Sequence, residues 1–296
     1  MGKNNYQIQG ANVNTVAEKF EKMGARVKFD DLSRFRQRRG SSFTVDVRRD
    51  KKGEYFDIRH GDEVDISVID IDINDRHLLL MAKIPNINPH FKPDNIKVLC
   101  GHDEREWFSS QVSGVSINVD SAKQALKPDL VIESQKRAGV KTKNKHKRKN
   151  KGFIRQGEWF FIPVDYIDVP NDLILKKEPL MLSGVRAGNK PHMAEFAFRR
   201  GGEQVYVPNV GWNTVSKVDR TSRDKLNAGL TNDERKEFYK KYPEAKNWGW
   251  RPMVRNPELY VRGNVRHPDH KTIKLRGWHR VVVNGEIRGE NVVFLD

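Results

Sequence analysis

The sequence predicts an α+β protein of two strand-rich domains joined by a basic, flexible linker. Three observations predict it. Apolar and polar residues alternate through much of the chain, the two-residue period of half-buried strands. Only a few stretches combine helical spacing with capping residues. Residues 136–152 read KRAGVKTKNKHKRKNKG, with nine Lys or Arg, one His and no acid. Residues 1–135 balance 21 basic against 21 acidic side chains, and residues 153–296 carry 25 against 18. The net charge of +16 is therefore concentrated in the tract and the half that follows it. A stretch so charged, with nothing apolar to anchor a core, repels itself and is expected to be solvated. The expected division is a neutral α+β domain (1–135), a basic linker (136–152) and a basic strand-rich domain (153–296).

In the first block, residues 14–23 have Val16, Phe20 and Met23 on one helical face. Asn14 or Thr15 can cap the start and Gly24 can end it. Basic turns follow at Arg34 to Gly40. Phe43, Val45 and Val47 alternate as in a strand, with Tyr55–Ile58 as partner across Lys51-Lys52-Gly53-Glu54. Val64, Ile66 and Val68 keep one parity, and Ile69, Ile71 and Ile73 take the other. That change predicts a bulge or a strand that swaps faces. Asn74-Asp75 turns into the strand 77–84, and 96–100 with 106–112 form another pair. Asp120 is a cap for a short helix, 121–126, that stops before Pro128.

In the second block, 158–164 and 203–207 read as strands. Thr231 and Glu234 have capping-box spacing before the helix Arg235–Lys241. Residues 260–266, 272–275, 278–283 and 287–295 are strand candidates, with Asn284-Gly285 as a hairpin signal.

Composition excludes several classes. A single Cys permits no internal disulfide and no Cys-based zinc knuckle. The first residues, MGKNNYQIQGANVN, hold no apolar core of a secretory leader, and the longest apolar run, His77 to Ala82, is far too short to span a bilayer. A cytoplasmic protein without a membrane partner is expected. The chain has neither standard phosphate-binding glycine spacing nor G-x-S-x-G. Asp70-Ile71-Asp72-Ile73-Asn74-Asp75 opens like a calcium loop but has Asp75 where Gly is needed and Met81 where the bidentate Glu belongs. No cofactor is expected.

The most chemical cluster is Arg266-His267-Pro268-Asp269-His270, followed by Trp278-His279-Arg280. Imidazoles move protons or bind transition metals, and Arg266, Lys271 and Arg280 can hold a phosphate. His267, His270, His279 and Asp269 are the catalytic candidates. The bland reading is a polar turn shaped by Pro and Asp. His192 and Glu195 are more distant candidates. A metal is expected only if His192, His267, His270 and His279 converge. Cys100 and His102 suggest a thiolate–imidazole pair, set against an inert buried thiol. Asp103, Glu104 and Glu106 form an acidic loop that can receive a basic partner, the tract of the same chain included.

The tract supplies cations able to displace counterions from a polyphosphate: Lys141, Lys143, Lys145, Lys147, Arg148, Lys149 and Lys151. Five of the six Trp follow the tract. A basic groove with aromatic faces suits single-stranded nucleic acid. Trp248, Trp250 and Arg251 are the stacking candidates, while Trp159 to Phe161 read as core.

Residues 99–108 (LCGHDEREWF), 154–161 (IRQGEWFF) and 260–279 (YVRGNVRHPDHKTIKLRGWH) resemble a family of uncharacterised bacterial proteins. The resemblance covers most of the chain. It implies a bacterial or phage setting and a shared two-block layout, and it transfers no catalytic residue.

The expected function is binding of RNA or single-stranded DNA through the basic strap and the C-terminal domain. The alternatives are an enzyme acting on nucleic acid or a phosphoester at the His-rich hairpin, and an adaptor whose residues 1–135 dock a protein partner.

Overall fold

A computed structural model describes residues 13–31, 42–85, 94–180 and 191–285. The basic turns at Arg34–Gly40 and the expected strand 287–295 lie outside the described residues. The chain divides into two compact units. The first runs up to Lys151 with a short return beginning at Val283, and the second runs from Gly152 to Val282. The fold is α+β and strand-rich.

In the first unit, helix α1 (Val13–Lys22) buries Val16 and Phe20, and Gly24 ends it at φ +78°. Strand β1 (Val27–Asp31) pairs in parallel with β3 (Gly53–His60), which pairs antiparallel with β2 (Phe43–Asp50). Strands β4 (Asp65–Asp72), β5 (His77–Ile84), β6 (Asp94–Asp103) and β7 (Glu106–Val112) form an antiparallel sheet in chain order. The pairing of β4 with β5 shifts register between Val68 and Asp70, where the apolar parity changes. Phe20, Phe56, Ile58, Leu78, Leu80 and Cys100 share one core, with the Phe20 and Phe56 rings 5.0 Å apart. Leu79 and Leu99 face the other way, onto Val119 and Ala122 of helix α2 (Val119–Ala125). Burial on both faces explains why Leu78, Leu79 and Leu80 are consecutive rather than alternating.

At the end of this unit one expectation is corrected and another extended. The cap of α2 is Asn118, whose side chain accepts from Ser121 N in a capping box, while Asp120 lies in the first turn. Pro128 does not only end a helix. It opens another, α3 (Asp129–Arg137), so the basic tract begins as the last turn of that helix. Lys136 and Arg137 there face the helix's carbonyl end, where cations are favoured.

The tract that follows is not a free linker among the described residues. Lys127, buried, donates to Gln124 Oε1 (3.1 Å), Gln135 Oε1 (3.2 Å) and the carbonyl of Lys145 (2.7 Å). Gln135 Nε2 donates to the same carbonyl at 2.8 Å. Lys145 and His146 reach Asp120 at 2.7 and 2.9 Å. Arg148 pairs with Asp103 and Glu104 on the β6–β7 turn. Acids of the first unit pair with the tract's cations, and Lys127 and Gln135 fasten it by donating to the tract's own Lys145 carbonyl.

In the second unit, β8 (Ile154–Gln156), β9 (Trp159–Pro163), β10 (Leu175–Leu180) and β11 (His192–Arg200) belong to one six-stranded sheet. The chain then leaves it through β12 (Glu203–Pro208), α4 (Trp212–Val215), α5 (Arg220–Ala228), α6 (Asn232–Lys241) and β13 (Trp250–Arg255). This excursion has its own small core of Val218, Leu226, Leu230, Phe238 and Ala245. Thr231 and Glu234 form the capping box of α6. Strands β14 (Glu258–Arg266) and β15 (Ile273–Val283) complete the order β10-β11-β14-β15-β9-β8. The expected strands 272–275 and 278–283 are one strand. Its pairing with β14 slips between Val261 and Gly263, and Gly277 turns at φ +78°. Past β15, Gly285 N donates to Leu126 O at 2.7 Å.

The His146 ring gives the strap a pH dependence. Burial, then the Lys127 ammonium, pushes its pKa down to about 4, against the pull of Asp120. A neutral ring in the fold and an ordinary one in the unfolded chain place the full stabilisation above pH 6.5. It is lost as pH falls toward 4, by on the order of 3 kcal/mol. Denaturant unfolding between pH 7 and 4.5 should show this loss, and His146→Gln should remove most of it. An unchanged slope in His146→Gln would assign the pH dependence elsewhere.

Candidate functional site

The second unit brings three imidazoles together. His192 opens β11, where it pairs with Leu180 of β10, and its neighbour Met193 pairs with Arg266 at the end of β14. The chain leaves β14 at Arg266 and returns in β15 at Ile273, so His267 and His270 sit in the connecting loop beside His192. The His192 and His267 rings are stacked at 4.2 Å, and His270 lies 5.3 Å from His192 and 4.8 Å from His267. One nitrogen from each ring lies within 4.8 Å of the others.

The β8–β9 turn closes the site. Gly157 adopts φ +57°, a conformation that suits glycine. A Cβ there would lie 2.9 Å from His270 Nε2 and 3.5 Å from His192 Nε2. Those two nitrogens thus face the same small space, which a side chain would fill. Gln156, buried beside Gly157, donates its Nε2 to the carbonyl of Lys271 at 2.7 Å and so ties the turn to the histidine loop. Its Oε1 is buried without a hydrogen-bond partner, as are His192 Nε2 and Trp159 Nε1. Buried polar atoms are ordinarily paired, so this corner has capacity for a polar guest.

Burial, reinforced by His267 and His270, pushes the pKa of His192 down to about 3, so its ring is the neutral, lone-pair-bearing form at neutral pH. Asp269 donates its backbone N–H to His267 Nδ1 at 3.2 Å and holds its carboxylate 3.8 Å from the same nitrogen. That carboxylate is placed to orient the ring when Nδ1 carries the proton. Arg266 and Lys271, flanking the loop, are exposed.

The other candidates lie elsewhere. His279 is buried in β15 opposite Val261, with Nδ1 3.1 Å from Gly277 O, and burial lowers its pKa. It is not in the group. Glu195 turns to β14, where its Oε2 accepts from Asn264 N and Nδ2, both at 2.8 Å. Arg280 pairs with Glu258 at 2.8 Å. Trp248 and Trp250 are stacked on one another and packed against Phe238, so both rings serve the small core while remaining partly exposed, and Arg251 is exposed. Trp159, Phe160 and Phe161 are buried. Trp212, 66% exposed with Arg223 5.6 Å from its ring, is an exposed aromatic side chain that its sequence context did not single out. Gly157 and Gln156 were also missed. Their only sequence signal is a glycine in a short hairpin turn.

Within the tract, Lys145 and Arg148 are spent on ion pairs. Lys136, Arg137, Lys141, Lys143, Lys147, Lys149 and Lys151 are exposed. Across the first unit's sheet, Cys100 is fully buried in the core. Burial pushes its thiol pKa far up, so no thiolate forms there. His102 packs edge-on against Trp107 instead. The native chain should therefore leave Cys100 unreactive toward a thiol-disulfide reagent over hours, with one equivalent released on denaturation. Rapid reaction of the folded chain would restore the thiolate reading.

No helix among the described residues is long and apolar enough to cross a membrane. Comparisons of the chain with protein-family models, curated proteins and solved structures find no match.

Proposed function

We propose that the chain binds nucleic acid, RNA or single-stranded DNA, with the strap of residues 136–151 as its main phosphate contact. One observation carries this reading: seven of the strap's nine cations are exposed while the other two fasten it to the first unit. A strap held in place presents its ammonium and guanidinium groups without first paying to order the chain. Polyanions with regularly spaced phosphates are the ligands that reward such a strip. The second unit adds its own excess of cations and the exposed Trp212 as a stacking face. A bacterial or phage setting, which the sequence resemblance implies, and a cytoplasmic location both fit this reading.

A second reading, an enzyme acting on a phosphoester, is favoured by the convergence of His192, His267 and His270 between Arg266 and Lys271. Under it the imidazoles do the chemistry and the flanking cations hold the anion.

The binding reading has a numerical test. Seven strap contacts give a slope of log K on log salt of roughly −6 on duplex and about −5 on single strands. Fluorescence anisotropy with a short labelled oligonucleotide measures it. Replacing Lys141, Lys143, Lys147, Lys149 and Lys151 by Ser should flatten the slope by about 3 to 5 while leaving the melting temperature nearly unchanged. Absence of binding to RNA or DNA at low salt, or an unaltered slope in the five-fold variant, would overturn the proposal.

A further inference from the structure

We propose that His192, His267 and His270 form a binding site for a single zinc-class divalent ion, with one coordination position left open to solvent or substrate. The site stands independently of nucleic-acid binding, whose main contact is the strap of the other unit.

The donor set is the first argument. Neutral imidazole is the ligand of choice for zinc, copper and nickel, and is poor for calcium and magnesium, which take oxygen. Nitrogens bound to one tetrahedral zinc at 2.0–2.1 Å lie about 3.3 Å apart. The three nitrogens already lie within 4.8 Å of one another, so contraction by small side-chain rotations suffices. Two of the three rings come from one loop and the third from a sheet strand, and the loop can adjust while the strand holds position.

The second argument is that the surroundings fit an ion and fit a simple polar core poorly. His192 is buried, and its Nε2 has no hydrogen-bond partner although it faces the gap beside Gly157. A buried nitrogen in that state costs free energy, and a metal bond removes the cost. Gly157 leaves the gap open where any other residue would close it. Asp269 stands beside His267 Nδ1, the place of the carboxylate that orients a zinc-bound histidine through its far nitrogen. In forming the site, His267 exchanges the bond it accepts from Asp269 N–H for one it donates to the Asp269 carboxylate.

The third argument fixes the class of site. Structural zinc is closed by four protein ligands, whereas sites that act on substrate keep three and hold water in the fourth place. Among the described residues the group contains three histidines and no carboxylate or thiol. The occupant expected in the fourth position is therefore water, and Gln156 Oε1, buried without a partner on the turn that adjoins the histidine loop, is an acceptor available to hold it.

The test uses the full chain without a histidine tag, in a buffer free of phosphate and chelators. Zinc alone is titrated by calorimetry, and cobalt alone is titrated by its visible absorption. One equivalent should bind, the melting temperature should rise, and the cobalt spectrum should show the intense visible bands of a four- or five-coordinate nitrogen site. His267→Ala and His270→Ala should each weaken zinc binding by a hundredfold or more. His102→Gln, in the other unit, should leave it unchanged. His192 is buried in the sheet, so the decision rests on the two loop histidines, and circular dichroism confirms that those variants fold. Gly157→Ala, which fills the gap, should also weaken binding. Failure of the folded wild-type chain to take up one equivalent would overturn the site, as would binding that survives loss of both His267 and His270. Loss of oligonucleotide binding in the strap variant, with zinc uptake intact, would show that the two proposals stand or fall separately.

Discussion

Nine cations in one short tract can lie against a protein surface only where that surface returns negative charge or donors for the tract's own carbonyls. The first unit does so at three points. Asp120 sits in the first turn of α2 and takes Lys145 and His146. Asp103 and Glu104 sit at the β6–β7 turn and take Arg148, with Glu104 in a left-handed conformation that costs about 1 kcal/mol. The buried ammonium of Lys127 needs acceptors, and the carbonyl of Lys145 is one of them, with Gln124 and Gln135. A buried charge left without them would cost several kcal/mol, so Lys127 fixes where the tract must pass. The remaining cations are then exposed as a consequence of the anchoring.

This dependence also explains what the sequence revealed. The helix at 13–22, the capping box at Thr231 and Glu234, and the bulge in β4 were all legible because each is fixed within a few residues. The parity change at Val68 to Ile69 is a local record of a register shift, since a side-chain period of two leaves no other way to keep both runs buried. The tract was legible only in part: sequence offered the acidic loop at Asp103 to Glu106 as its partner, and Arg148 pairs there, but its anchoring at Asp120 and Lys127 was not visible, for the opposite reason. Its partners Asp103 and Asp120 are 45 and 25 residues from Arg148 and Lys145. Composition within the tract says only that it repels itself. Pro128 was read as a stop because proline ends helices, yet at the entrance to a helix its missing N–H costs nothing.

The histidine cluster was half legible. His267 and His270 share a loop, so their nearness is a matter of local sequence. His192 arrives from another strand, and only the antiparallel pairing of β11 with β14 brings it alongside. His279 looked equivalent by sequence distance. The bulge at Gly277 and the two-residue period of β15 send it into the sheet's packed side instead. Glu195 is three residues from His192, but the register shift between Ala194 and Phe196 turns it to Asn264, and Gly263 leaves room for its carboxylate.

A protein has cheaper ways than three histidines to fill the corner of a sheet. Aliphatic side chains would bury the same area with no desolvation penalty and no orphaned nitrogen. The flanking residues make the choice more costly, since Arg266 and Lys271 add positive charge to the loop that packs on the buried, neutral His192 ring. Sites that hold a ligand violate local economy in this way, and the violation is concentrated at one point. The sheet around it is ordinary, with Ala194, Ala197, Val261 and Val265 packed and buried. Those residues pack the sheet by apolar burial. The histidine corner is therefore free to be specified by what it holds, and the strands need only keep His192 and the β14–β15 loop in register.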